Sequence, residues 1–323
     1  MKNSRYFIVT LALIALALTT LSAIAQERNP TMTGQRNDAE REALYTQFAE
    51  NKKVPIPDRQ RLAYYAAKDY LKRFNEVADP YISEMRKFVT AYEKVIKNFN
   101  VFSYYVDKKY MKAFETGREV LRNEPQNFYV LAVLAEAGFD NSQTGDSSLN
   151  AETLDYTHRA LDLLAADKIT ATDPFVTKEV ARGVLNFILG WYLRPQSPVE
   201  ATAALTIAAQ AESPYKTNPL TYNLLGASII KGEYARISAE YNEKFGNKPP
   251  SPEQQAMLAQ LIKVGERAID AYARAIALST KPEEQEGRAK LLAQLTNLYK
   301  SFHNGSDAGL NELIAGVLSK PMP

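Results

Sequence analysis

The chain contains no cysteine and only two histidines, His158 and His303, in 323 residues. The missing cysteine excludes disulfide bonds, a cysteine nucleophile and the lipid-modified cysteine of a bacterial lipoprotein. Transition-metal sites usually need several His or Cys ligands at short spacing, and these two histidines are far apart in the sequence. The sequence therefore predicts no metal site, no cofactor and a fold stabilised by its apolar core.

Glycine is also scarce, at 14 residues, and none of the patterns HExxH, GxSxG, GxGxxG or the P-loop occurs. These absences argue against the common classes of metalloprotease, α/β hydrolase and nucleotide-binding protein. The two carboxylates of a glycosidase need not be close in sequence. A cell-wall-active enzyme with a catalytic carboxylate is therefore kept as an alternative function.

Neither sign of charge is in excess along most of the chain. Lys2 and Arg5 lie in the first 25 residues, and removing them from the 39 basic residues leaves 37, equal to the 37 acidic residues. A nucleic-acid-binding protein would carry a basic face. The sequence therefore predicts no nucleic-acid partner.

Residues 1–25 differ in character from the rest of the chain. A basic start, MKNSR, precedes an uncharged apolar run of 16 residues, which ends before the small residues Ala23 to Ala25. The run is shorter than the roughly 20 residues that span a bilayer, and the pattern is typical of a cleaved export signal. We expect a periplasmic or secreted bacterial protein that begins at Gln26 and has no stable membrane insertion. An uncleaved anchor is the alternative.

Residues 26–37 are polar and aperiodic and predict a flexible lead. From residue 38 to residue 320 the pattern is helical, because apolar residues recur three and four apart, as at Leu62, Tyr65, Ala66 and Tyr70. Prolines recur where helices are expected to begin, since the first turn does not need the missing N–H. Alternation with a period of two is absent. The predicted fold class is all-α.

The helices between residues 113 and 279 share a short internal pattern. Tyr222, Leu225, Gly226 and Ile229 match the spacing W-x2-L-G-x2-Y with substitutions at both ends, and Leu189-Gly190 occupies the same place in the preceding pair. Second helices supply small residues at matching positions: Ala160, Ala209 and Ala275. In these features the chain resembles tetratricopeptide-repeat proteins, with degenerate repeats.

The resemblance implies an α-solenoid of antiparallel helix pairs that binds proteins or peptides and has no catalysis of its own. Ala160, Ala209 and Ala275 are then expected at contacts within helix pairs. Gly226 is expected to allow close helix approach. Gly232 is expected to end a helix in the turn between the two members of a pair, with Ile237 and Tyr241 on the second member.

A binding surface is predicted around Trp191, the only tryptophan. In such solenoids the first helix of each pair lines the concave groove, and Phe187 and Arg194 share a face with Trp191. Matching positions on neighbouring helices complete the predicted groove residues: Glu136, Phe139, Phe187, Trp191, Arg194, Asn223 and Lys231. The alternative is that Trp191 packs between helix pairs.

The predicted function is a non-catalytic scaffold in the cell envelope, with a protein or peptide as partner. Besides the carboxylate enzyme, a binding protein for a small molecule or lipid is the other alternative.

Overall fold

The computed structural model describes residues 30–74, 80–169, 171–246, 249 and 251–322, which contain helices and no strand. The α-helices are α1 (Pro30–Lys52), α2 (Pro57–Phe74), α3 (Pro80–Val106), α4 (Tyr110–Asn123), α5 (Phe128–Ser142), α6 (Asn150–Ala165), α7 (Lys178–Leu193), α8 (Pro198–Gln210), α9 (Pro219–Ile229), α10 (Ala235–Phe245), α11 (Pro252–Leu278), α12 (Gln285–Phe302) and α13 (Leu310–Gly316). The predicted all-α fold class is therefore confirmed.

The predicted export signal, residues 1–25, lies outside the described residues. Within the described ranges, no helix has both the length and the apolar character that crossing a bilayer requires. Helix α1 begins at Pro30, inside the stretch 26–37 that the sequence predicted to be a flexible lead. The polar composition predicted a loop, but Pro30 in the first turn is compatible with a helix start.

Several helices begin at prolines, as the sequence predicted. Pro198, Pro219 and Pro252 each occupy the first turn of a helix, where a missing N–H leaves no hydrogen bond unmade. Two helices that begin without proline, α5 and α7, are capped by a side chain, as when the Val180 N–H donates to the Thr177 hydroxyl at 3.1 Å. Local sequence therefore sets most of the helix boundaries.

The chain divides into two compact units, one ending at Tyr92 and one beginning at Glu93, with the boundary inside α3. In the first unit α1 packs against α2. The buried face of α2 consists of Ala63, Ala66, Ala67 and Tyr70. Leu62 and Tyr65, predicted for this face, are 41% and 61% exposed. Ala66 and Tyr70, predicted for the same face from their spacing, are buried, and the alanine side of α2 allows α1 to approach closely.

In the second unit, the helices from α4 to α9 each pack against the next one in order, and α11 then packs against α9 and α12. This succession of neighbouring helices is the arrangement expected of a solenoid-like fold. Ala160, Ala209 and Ala275 are at most 3% exposed. The prediction that these small residues lie at helix contacts is therefore confirmed.

Glycines allow three of these contacts to be close. A Cβ added to Gly138 would lie 1.8 Å from the Thr153 hydroxyl of α6. A Cβ on Gly190 would lie 2.5 Å from Leu205 of α8, and one on Gly226 would lie 2.9 Å from the Tyr272 ring of α11. The predicted role of Gly226 in close helix approach is confirmed.

The predicted role of Gly232 is wrong. A π-helical segment, Ile230–Tyr234, joins α9 directly to α10, so no turn separates Gly232 from Ile237 and Tyr241. Gly232 does not have the positive φ of a C-cap glycine. An added Cβ would instead lie 3.1 Å from backbone atoms of Pro198 and Val199. Gly232 is therefore a helix contact, and the two predicted helices are one interrupted helix.

A charge pair joins α4 to α6. The Nε and Nη2 atoms of Arg118 donate to the two oxygens of Glu152, both at 2.7 Å, and the Tyr156 hydroxyl donates to the same carboxylate at 3.0 Å. The hydrogen bond from Arg118 lowers the pKa of Glu152 below its ordinary value of 4.5. A lowered carboxyl pKa means that folding favours the charged form.

We expect Glu152→Gln to reduce the free energy of unfolding by about 0.5–1 kcal/mol at neutral pH, because more than a third of each side chain is exposed and water screens the pair. The contribution of a carboxyl with a lowered pKa is present above pH 4.5 and is lost as the pH falls through the folded-state pKa. Urea unfolding of both proteins from pH 7 to pH 3 measures the difference. Glu286→Gln, which breaks a fully solvated pair with Lys290, is the control. A difference independent of pH would contradict the assignment.

Candidate peptide-binding surface

An aromatic cluster joins α5 to α7. Phe139 lies near the end of α5, and Phe187 and Trp191 lie one turn apart on α7. The ring of Phe139 meets both other rings edge to face, with centroids 5.6 Å apart in each case. Phe139 and Trp191 are partly exposed. This geometry is favourable for aromatic pairs and leaves apolar ring surface open to a partner.

Phe187 is the buried member of this cluster and packs beneath the partly exposed ring of Phe139. Its side chain has no exposed surface and stacks on Tyr215, with centroids 3.8 Å apart and planes at 13°. Tyr215 belongs to the loop between α8 and α9. The sequence predicted Phe187 to line a groove. The structure corrects this, because the ring is fully buried against Tyr215 and cannot touch a partner.

A buried hydrogen bond fixes the spacing of α5 and α7. The Tyr192 hydroxyl donates to the backbone carbonyl of Gly138 at 3.0 Å. Burial raises the pKa of Tyr192, so the phenol stays protonated and donates across the physiological range. Because Gly138 and Tyr192 each adjoin a ring of the cluster, this bond holds Phe139 and Trp191 in a defined relation.

Arg194 covers the cluster at the end of α7. Its guanidinium carbon lies 4.6 Å from the centroid of the Trp191 ring, within the range of a cation–π interaction. The side chain is half-buried, and burial lowers the pKa of Arg194. Within the described ranges no carboxylate forms an ion pair with Arg194, whereas Arg118, Arg267 and Arg274 each have one.

The other three predicted groove residues do not share the exposed surface of Phe139 and Trp191. Glu136 is buried on α5, one turn before Phe139. Asn223 is half-buried on α9, and Lys231 is exposed in the π-helical segment. No hydrogen bond, ion pair or ring contact between described residues joins Asn223 or Lys231 to the cluster. The structure therefore brings together Phe139, Phe187, Trp191 and Arg194, and the wider groove stays a prediction.

The sequence analysis missed a cleft in the second unit, with a volume of about 760 Å³. The cleft is bounded by α3, by the loop between α4 and α5, and by the segment after α6. Its lining residues are Lys94, Val95, Asn98, Phe99, Glu124, Pro125, Gln126, Asn127, Phe128, Tyr129, Lys168, Ile169, Ala171 and Asp173. In the sequence, the cleft is marked only by two apolar residues four positions apart, Val95 and Phe99. In the structure they lie one turn apart on α3 and are 63% and 48% exposed.

Several polar groups of the cleft bind one another. Lys94 Nζ lies 2.8 Å from Glu124 Oε2, and the Asn127 amide donates to Glu124 at 3.0 Å and to Asn98 at 3.3 Å. Burial and the charge of Asp173 raise the pKa of Tyr129 to about 12. The cleft therefore combines an apolar face with a hydrogen-bonded rim.

In the described part of the chain, no group of three or more His, Asp or Glu side chains is placed to hold a metal ion. His303 stacks on Tyr299 at 3.8 Å. Hydrogen bonds lower the pKa of five carboxyl groups: Asp146, Glu152, Asp167, Glu240 and Asp307.

Comparison of the chain with models of known families, with curated proteins and with solved structures finds no match.

Proposed function

We propose that this protein is a non-catalytic binding module of the bacterial cell envelope, with tetratricopeptide-like helix pairs, that holds an acidic peptide segment of a partner protein. The observation that carries the proposal is Arg194, a half-buried guanidinium without a carboxylate partner among the described residues. Removing a charge from water without a counter-charge is unfavourable. A carboxylate from a partner would supply the missing counter-charge.

The neighbouring rings indicate what should accompany the carboxylate. Phe139 and Trp191 offer partly exposed apolar surface next to the guanidinium. A planar guanidinium can receive a carboxylate through two parallel hydrogen bonds. Trp and Arg are also the residues most enriched among those that dominate binding energies at interfaces. The peptide that fits therefore carries an apolar side chain next to Asp or Glu.

A peptide selection tests this proposal. Random peptides displayed on phage are selected against the full chain, and the enriched sequences are synthesised with their acids intact or replaced by the matching amides. We expect the acidic forms to bind at least about tenfold more tightly. Because Trp191 is the only tryptophan, the change in its emission on titration measures binding at this surface directly.

Two arginine variants make the test specific. Arg194→Met should abolish the preference for acidic over amide peptides. Arg182→Met, on the same helix but at an exposed position paired with Glu179, should leave it intact. Selected peptides without acids, or equal binding by the Arg194→Met variant, would refute the proposal.

The cleft at α3 favours a second candidate function. Its volume of about 760 Å³ falls in the range of sites for small molecules, and Val95 and Phe99 provide an apolar wall beside hydrogen-bonding groups. An amphipathic small molecule is the ligand class that fits. Native mass spectrometry of freshly purified protein would detect a retained molecule, and Phe99→Asp should abolish its retention. Retention unchanged in that variant would exclude the cleft as the site.

A further inference from the structure

A short extended segment follows α13 and the 3-10 turn Val317–Ser319. Lys320 has φ −102° and ψ 148°, which is strand-like backbone. Within the described residues, the one backbone-to-backbone hydrogen bond of the segment Lys320–Met322 runs from the Lys320 N–H to the Val317 carbonyl. Other contacts must therefore hold this segment in place.

The polar contact comes from Arg274 on α11. The Nη2 atom of Arg274 donates to the carbonyl of Lys320 at 2.9 Å and to the carbonyl of Pro321 at 3.0 Å. Its Nε atom donates to Asp270 at 2.6 Å. The Arg274 side chain is 7% exposed, and its charge is balanced by Asp270. Its Nη2 atom is aimed at two successive peptide carbonyls.

The apolar contact comes from Met322. Its half-buried side chain packs against two core clusters, both of which include residues of α11, while Lys320 and Pro321 are exposed. Methionine adapts to irregular apolar gaps because it is unbranched and flexible. The segment is therefore held by one guanidinium and one side chain, which is how proteins hold bound extended peptides.

We propose that Arg274 and the apolar gap filled by Met322 form a binding site for an extended peptide of a partner protein, and that the chain's own Lys320–Met322 segment occupies this site. A ligand that fits this site has two successive backbone carbonyls that accept hydrogen bonds from Arg274, followed by a residue with an unbranched apolar side chain. A proline before that side chain is suited to the site, because proline prevents helix formation and has no N–H to satisfy. Arg274 offers only donors to the segment, and the proline of such a ligand offers an acceptor without a donor.

The geometry makes exchange of the segment feasible. Arg274 keeps its pair with Asp270 when the segment leaves, because both groups lie four residues apart on α11. The site is therefore preorganised, which lowers the ordering that a ligand must bring about. This inference concerns α11 and does not rest on the proposed function of the α5–α7 surface, so the two can fail separately.

The test uses the full chain and a fluorescein-labelled peptide with the sequence of residues 317–322, Val-Leu-Ser-Lys-Pro-Met. Met322→Asp in the chain should release the internal segment without changing Arg274. We expect this variant to bind the labelled peptide at least about tenfold more tightly than the unaltered chain does. Fluorescence anisotropy measures both dissociation constants.

Controls on the peptide keep the result independent of any effect on folding. Replacing the peptide's methionine by norleucine should preserve binding, and replacing it by aspartate should abolish it. On the protein side, adding Arg274→Lys to the Met322→Asp chain should abolish binding, since one ammonium cannot replace both the Nε atom that holds Asp270 and the Nη2 atom that donates to the two carbonyls. Equal binding by the two chains, or equal binding of the methionine and aspartate peptides, would show that the segment is a fixed part of the fold.

Discussion

Ala275→Glu should be among the most damaging single substitutions in the second unit, with a loss of about 4 kcal/mol or more in the free energy of unfolding. Ala275 is 0% exposed and lies in the core where α11 packs against α9. Glutamate adds volume where none is free, and it places a carboxylate among apolar side chains. Overpacking alone costs about 1–3 kcal/mol, and an unpaired buried charge adds more.

The matched control is Ala259→Glu, which makes the same change at an exposed position of the same helix. It should alter stability by no more than about 0.5 kcal/mol. Thermal and urea unfolding followed by circular dichroism compare the two variants with the unaltered chain. If Ala275→Glu melts at the same temperature as Ala259→Glu, the assigned contact between α9 and α11 is incorrect.

The alanines show what a sequence can reveal about this fold. Ala160, Ala209 and Ala275 were found because they match the small positions of the tetratricopeptide pattern that the chain resembles. On α2 the prediction came from the three- and four-residue spacing of apolar residues, and it was right for Ala66 and Tyr70 and wrong for Leu62 and Tyr65. Spacing alone does not show which of two neighbouring faces is buried, and here it is the side that carries three alanines, whose small volume lets two backbones approach closely.

The repeat pattern also failed where the helix departs from 3.6 residues per turn. The segment Ile230–Tyr234 is π-helical, and an i to i+5 turn shifts the register of everything that follows it. A turn was expected at Gly232 because glycine commonly ends helices. Nothing local distinguishes that role from close contact with α8, which depends on residues more than 30 positions earlier.

The candidate sites also differ in whether a local sequence pattern could reveal them. Phe187, Trp191 and Arg194 were grouped correctly because they lie on one helix, and Phe139 was added by matching α5 to α7. The Arg274 site depends on residues 46 and 47 positions apart, and the cleft combines three separate segments. Such long-range meetings follow from tertiary packing and have no counterpart in a local pattern.

Phe187→Ala should lower the free energy of unfolding by about 3–5 kcal/mol, the usual loss when a fully buried aromatic side chain is removed. The ring has 0% exposure and stacks on Tyr215 at 3.8 Å, so the surrounding helices can refill the space only by moving. Urea unfolding measures the loss. Phe187→Leu, which keeps most of the volume, should lose less than half as much.

The same substitution should also change the binding surface, since Phe187 supports Phe139 and Phe139 meets Trp191 edge to face. Under native conditions we expect Trp191 emission in Phe187→Ala to move to longer wavelength and to be quenched more readily by acrylamide. Phe139→Ala should produce a similar change in emission with a smaller loss of stability, because Phe139 is already partly exposed. If Phe187→Ala destabilises the chain but leaves Trp191 emission and peptide binding unchanged, the surface does not depend on its buried support. If stability is also unchanged, Phe187 is not the core residue that its burial indicates.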